Sequence, residues 1–140
     1  MTYLLDTNAW LFGYLEPEVL PDDIGAILKK RDAQFALSAI SMWEVGKKHQ
    51  IGKLQLRQEL GVWLKGAIAA HINVLPLTSE IIADAMSLPD FPVRDPADEL
   101  IVATARVHKL TLLTTDTKLK GYRHARIQYF TPILLDKGMK

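Results

Sequence analysis

The chain has 140 residues, 17 Lys and Arg against 16 Asp and Glu for a net charge of +1, and 49% hydrophobic residues. That length and mixture suit one folded domain spanning 1–140 and exclude a disordered or fibrous chain, and any nucleic-acid partner has to be met by a local patch rather than by a basic whole. The lack of cysteine removes disulfides, thiolate metal sites and a cysteine nucleophile, and fits a reducing cytoplasm.

No basic segment precedes the apolar start, which Asp6 interrupts, so no signal peptide is read. The longest apolar runs, Ala9 to Leu15 and Leu100 to Ala103, fall short of the roughly 20 residues that a membrane span needs. The expectation is a soluble, cytoplasmic protein with no membrane partner.

Tyr3-Leu4-Leu5 reads as a short buried strand running into Asp6, Thr7 and Asn8, and Ala9 to Leu15 as a helix. Glu16-Pro17 breaks that pattern. Pro21-Asp22-Asp23 opens a second helix with Pro and acids in its first turn, an inward stripe of Ile24, Ile27 and Leu28, and Lys29, Lys30 and Arg31 at its end. Gln34 to Leu37 reads as a strand, and Ser41 to Gln50 as a helix stopped by Ile51-Gly52.

A helix is expected from Leu56 to His71, with Leu60, Trp63, Leu64, Ala67 and Ile68 facing inward and Gly61 and Gly66 weakening it. Asn73 to Leu77 is a brief strand, and Thr78 or Ser79 caps a helix through Met86. Leu88 to Pro96, with its prolines, is a loop. Asp95-Pro96-Ala97-Asp98 starts an apolar helix through Val107, Leu110 to Thr114 is a strand delivering Thr115-Asp116, and Arg126 to Phe130 is a last strand before a loosely held tail. Strand alternating with helix points to an α/β layer fold with a mainly parallel sheet.

In such a sheet the carboxyl ends of the strands share one edge, where ligands bind. Asp6 and Asp116 directly follow strands, and Glu44 and Asp98 fall in first turns of helices. Each has a plain structural explanation. Ser41-x-x-Glu44 is a capping box, Asp95 and Asp98 are a helix cap and an acid in the first turn, and Asp6 and Asp116 suit turns. Jointly they are harder to dismiss, because two carboxylates about 4 Å apart repel by roughly 4 kcal/mol at an effective dielectric near 20. Helix dipoles offset only about 0.3 to 1 kcal/mol per charge.

A divalent cation is the natural counter-charge, and an all-oxygen donor set selects a hard ion, Mg²⁺ or Mn²⁺. Such a site suits phosphoryl chemistry without a protein nucleophile. His49, His71, His108 and His124 show no ligand spacing, and there is neither a phosphate-gripping Gly loop nor a Gly-x-Ser-x-Gly elbow. Lys47, Lys48, Lys53 and Arg57, and then Lys118, Lys120, Arg123 and Arg126, form basic runs placed either to hold an RNA backbone or simply to face solvent. Trp10, Phe12, Tyr14 and Trp43 are most simply core, with some of them alternatively rimming a groove for a partner helix.

Leu4-Leu5-Asp6-Thr7-Asn8, Ser38 to Val45, Gly52-Lys53-Leu54, Arg94 to Ala105 and Leu112 to Asp116 together resemble the PIN-domain ribonucleases, in particular the VapC toxins of bacterial toxin–antitoxin pairs. The resemblance implies a three-layer α/β/α sandwich with a mainly parallel central sheet, Mg²⁺-dependent cleavage of RNA, a small antitoxin partner and a homodimer. It maps the family's catalytic and metal-binding acids onto Asp6, Glu44, Asp98 and Asp116, with Asn8 and Thr114 in support. Asp95 is a rival to Asp98, disfavoured because it fits the helix cap. Ala97 and Glu99 depart from relatives that often carry an aromatic and a basic residue there. Two other readings stay open: a non-catalytic binding module of the same fold, and a phosphatase with Asp6 as nucleophile, which Asn8 contradicts at its second acid position. If the acids share a pocket, Asp6→Asn is expected to stabilise the metal-free protein.

Overall fold

The computed structural model describes residues 1–30, 33–68, 71–93 and 95–133. Its chain order is β1 (Tyr3–Leu5), α1 (Thr7–Leu15), α2 (Asp22–Lys29), β2 (Phe35–Ser38), α3 (Ala39–Gln50), α4 (Leu60–Ala67), β3 (Ile72–Leu75), α5 (Ser79–Ala85), α6 (Pro96–His108), β4 (Thr111–Thr114) and β5 (Arg126–Tyr129). Short 3-10 turns at Pro17–Val19 and Thr117–Leu119 fill two of the connections. The sheet is parallel throughout, in the order β3-β2-β1-β4-β5.

Strands buried on both faces send alternate residues to opposite sides. Leu5, Phe35, Leu37 and Leu113 pack on one face with Ala9, Trp10, Ile24, Val45, Trp63 and Ala67 of α1 to α4. Leu4, Ala36 and Leu112 pack on the other with Ile101, Val102 and Ala105 of α6. Ile81 and Ala85 then lay α5 on Ala103 of α6. This is the three-layer α/β/α sandwich.

Three expectations need correction. Helix α3 starts at Ala39, because Ser38 caps it by accepting from the Ile40 amide at 3.3 Å. Ser41 is therefore a buried helical residue and not a cap, and Glu44 lies in the second turn. Helix α4 starts at Leu60, not Leu56. Gly52 at φ +80° turns the chain after α3, and His49 Nδ1 donates to the Leu54 carbonyl at 3.1 Å, so Leu54 and Leu56 reach the core from an irregular segment. Tertiary packing here overrides local helix propensity. The expected end of that helix at Ala69 and Ala70, like Arg31 and the tail from 134, lies outside the described residues. Lastly, Trp10 is core, but Tyr14 and Trp43 are 45% and 58% exposed. Tyr14 stacks edge-on against Trp63, and the Lys47 ammonium lies 6.0 Å from the Trp43 ring centre.

Candidate active site

From β1 the chain winds outward through β2 to β3, then returns across the sheet to β4 and β5. The connections leaving β1 and β4 thus diverge, which opens a crevice at their carboxyl ends. A cleft of about 430 Å³ lies there, lined by Asp6, Thr7, Asn8, Glu44, Lys48, Asp95, Asp98, Ile101, Thr115, Asp116 and Thr117. All four acids singled out in the sequence line it, together with Asp95 and Asn8.

Each acid is delivered by a local device. Asp6 ends β1 and caps α1, its Oδ1 accepting from the Ala9 amide at 2.6 Å and its Oδ2 from the Thr115 amide at 3.2 Å. The buried Thr114 hydroxyl also bonds this carboxyl, and accepts from the Asp116 amide at 3.0 Å. One hydroxyl thereby ties the acid of β1 to the acid after β4. Asp116 in turn accepts from the Lys118 amide at 2.9 Å. Asp95 caps α6 as expected, accepting from the amides of Ala97 at 2.9 Å and Asp98 at 3.4 Å, while still lining the cleft.

Glu44 is held by a contact that the sequence did not reveal. Thr7 Oγ1 lies within hydrogen-bond distance of Glu44 Oε1 and 2.9 Å from Ser41 Oγ. A hydroxyl has one proton, so Thr7 donates to the carboxylate and accepts from Ser41. Both hydroxyl residues are buried. Ser41 and Glu44 stand three apart on one helix face, a spacing that pairs side chains as readily as it forms a capping box.

Five carboxylates against one ammonium leave the cleft strongly acidic. Burial, partly countered by its three hydrogen bonds, pushes Asp6 from 3.8 up to about 6, with Glu44 adding repulsion. Burial, then the charges of Asp95, Asp116, Glu44 and Asp6, push Asp98 from 3.8 up to about 7. Among the described residues Lys48 is the one cation lining the cleft, its Nζ 3.5 Å from Asn8 Oδ1. A hard divalent ion fits the donor set, which is carboxylate and amide oxygen with no sulfur or imidazole. Among the described residues no three acids or histidines converge closely enough to grip an ion jointly.

Of the other basic candidates, Lys118 and Lys120 line a neighbouring depression, whereas Lys47 is hydrogen-bonded to Gln50. Glu99 does not line the cleft, and none of the histidines does.

The PIN domain family matches residues 3–125. The chain belongs to the PIN domain family. Ribonuclease VapC22 of Mycobacterium tuberculosis is 33% identical over 125 residues, 89% of this chain and 95% of that one. VapBC2 from Rickettsia felis, solved bound to a fragment of its promoter DNA, superposes on this PIN domain with a TM-score of 0.68 at 18% identity, covering 92% of this chain and 98% of that one. FitAcB from Neisseria gonorrhoeae superposes with a TM-score of 0.56 at 26% identity, over 84% of this chain and 89% of that one. No helix among the described residues is long and apolar enough to cross a membrane.

Proposed function

We propose that this PIN domain is a metal-dependent endoribonuclease, the toxin of a toxin–antitoxin pair, acting in the cytoplasm and restrained by a small antitoxin. The observation that carries the reading is the acid cleft at the β1/β4 crevice, five carboxylates gathered from four separate stretches of chain around one lysine. Its relationship to Ribonuclease VapC22 supports RNA as the substrate class, and its likeness to the VapBC2 and FitAcB folds supports an antitoxin partner; the homodimer rests on the family resemblance alone.

Asp6, Glu44, Asp98 and Asp116 would hold Mg²⁺, or Mn²⁺, directly or through water. When bound, such an ion supplies counter-charge to a scissile phosphate and lowers the pKa of water in the cleft. The chain's own residues do the positioning. Asp6 is fixed by two amides and a hydroxyl, Glu44 by Thr7, and Asp116 by Thr114 and Lys118. Lys48 presents the ammonium nearest to a phosphate entering the cleft. Asp6 is a poor covalent nucleophile because both its oxygens already accept backbone amides.

The test is cleavage of a labelled RNA with and without EDTA. Wild type cuts only with Mg²⁺ or Mn²⁺, and Asp98→Asn, folded by circular dichroism, loses at least about 100-fold, the scale on which removing one charge-stabilising group acts. Undiminished cleavage in EDTA, or by the folded variant, sinks the proposal. A non-catalytic binding module of the same fold is the alternative reading, and no cleavage by wild type with either ion would establish it.

A further inference from the structure

The acid cleft repels the polyanion it is proposed to cut, so the affinity for RNA has to come from beyond it. Immediately beyond Thr117, the last cleft residue along the chain, begins a depression of about 500 Å³ lined by Lys118, Lys120 and Arg123. It shares Arg123 and His124 with a second depression, of about 570 Å³, lined by Lys109 and Arg126. The two form one trough. β5 runs from Arg126 opposite Thr111 to Tyr129 opposite Thr114, so the trough descends from the cleft edge of the sheet to its other edge, about 10 Å at roughly 3.3 Å per residue.

Its charge is one-sided. Asp84 is neutralised by Arg106 at 2.8 Å, and the other acid on its walls, Asp90, lies 3.8 Å from His124. Lys109, Lys118, Lys120, Arg123 and Arg126 are exposed. The walls are also pinned in place. Tyr122 donates to the Pro89 carbonyl at 2.7 Å, Arg106 to that of His124 at 2.5 Å, and Arg126 to that of Lys109 at 3.2 Å.

We propose that a single RNA strand leaving the acid cleft lies along this trough with its phosphates on the cation row. The proposal rests on the ribonuclease reading and deepens it. The occupant is a strand of phosphates, and not an acidic peptide, because the row continues directly from the site where a phosphodiester is held. Contacts of this kind fix position without reading sequence.

Fluorescence anisotropy with a labelled oligouridine of about 12 nucleotides, in EDTA and over roughly 50 to 200 mM salt, tests it. Against wild type, Lys120→Ala/Arg123→Ala lowers the slope of log affinity on log salt by about 1.4, since each phosphate contact to a single strand contributes about 0.7. Lys120→Glu weakens binding further, and Lys29→Ala/Lys65→Ala, remote from the trough, changes nothing; circular dichroism confirms the fold of each. An unchanged slope overturns the trough while leaving the cleavage assay to judge the cleft. A slope that falls as expected in a protein that never cleaves keeps the trough as a strand-binding surface and discards the ribonuclease. Displacement of the strand by polyglutamate at equal charge overturns the choice of RNA in favour of an acidic peptide.

Discussion

The two walls of the cleft meet the same electrostatic problem in opposite ways. On the sheet side Asp6 receives hydrogen bonds from Ala9, Thr115 and Thr114, which partly offset its burial. On the helix side Asp98 faces the charges of Asp95, Asp116, Glu44 and Asp6, and among the described residues nothing donates to its carboxyl. One wall is a built scaffold and the other a stored repulsion. A cation relieves the second far more than the first, and the two should therefore respond differently to the same substitution.

The largest expected effect falls on both walls alike: Asp6→Asn or Asp98→Asn lowers RNA cleavage at least about 100-fold in a gel assay with Mg²⁺. Retained cleavage by either variant would divide the cleft into working and idle acids. Next, Thr7→Val keeps the shape of a buried side chain but removes the donor to Glu44. Cleavage should fall about 10- to 100-fold, as when a supporting partner is lost, with a folded protein in calorimetry, and a wild-type rate would show that Glu44 needs no clamp.

Stability separates the walls. In EDTA at pH 8, Asp98→Asn should raise the melting temperature by removing a repelled charge. Asp6→Asn should not, because an amide has one acceptor oxygen and would leave the Ala9 or Thr115 N–H facing an NH₂ group, an unmet bond that costs about 1 to 3 kcal/mol. The sequence alone suggests stabilisation at Asp6; the hydrogen bonds reverse that expectation. Equal rises for both variants would erase the distinction between the walls.

The smallest effect is in pH. Asp6 and Asp98 have folded values raised to about 6 and about 7 from 3.8, so the native state binds protons that the unfolded chain has already released. Their stabilising contribution is complete below 3.8 and disappears as pH rises through about 6 and then about 7. Metal-free melting temperature should thus fall between pH 5 and pH 8, and Asp98→Asn should remove the upper part of that fall. Saturating Mg²⁺ should raise the curve most at pH 8, because an ion that binds only the native state stabilises it and competes there with fewer protons. A flat profile in EDTA would deny the stored repulsion.

The positions of Asp6, Asp98 and Asp116 were legible because each depends on a local signal: a carboxylate straight after a run of Leu, or an Asp-Pro before an apolar helix. The topological rule for parallel sheets then brings such ends to one edge. What stayed hidden depends on distant partners. Thr7 and Glu44 are 37 residues apart, and no spacing rule links them. The late start of α4 follows from Leu54 and Leu56 reaching the core from a loop, which propensity cannot register. Trp43 and Tyr14 read as core because aromatics usually bury, yet the helix faces that carry them look outward.

The central strand has neighbours that come from far apart in the chain: β1 pairs with β2, and on its other side with β4, where Leu5 meets Leu113. Closing so long a loop is slow, and it cannot begin until the second partner exists. During synthesis, then, a growing chain that already carries Asp6 and Glu44 has no Asp98 or Asp116 to set beside them. The acid cleft is therefore assembled late: its last acid joins the others only once β4 has been made and has paired with β1.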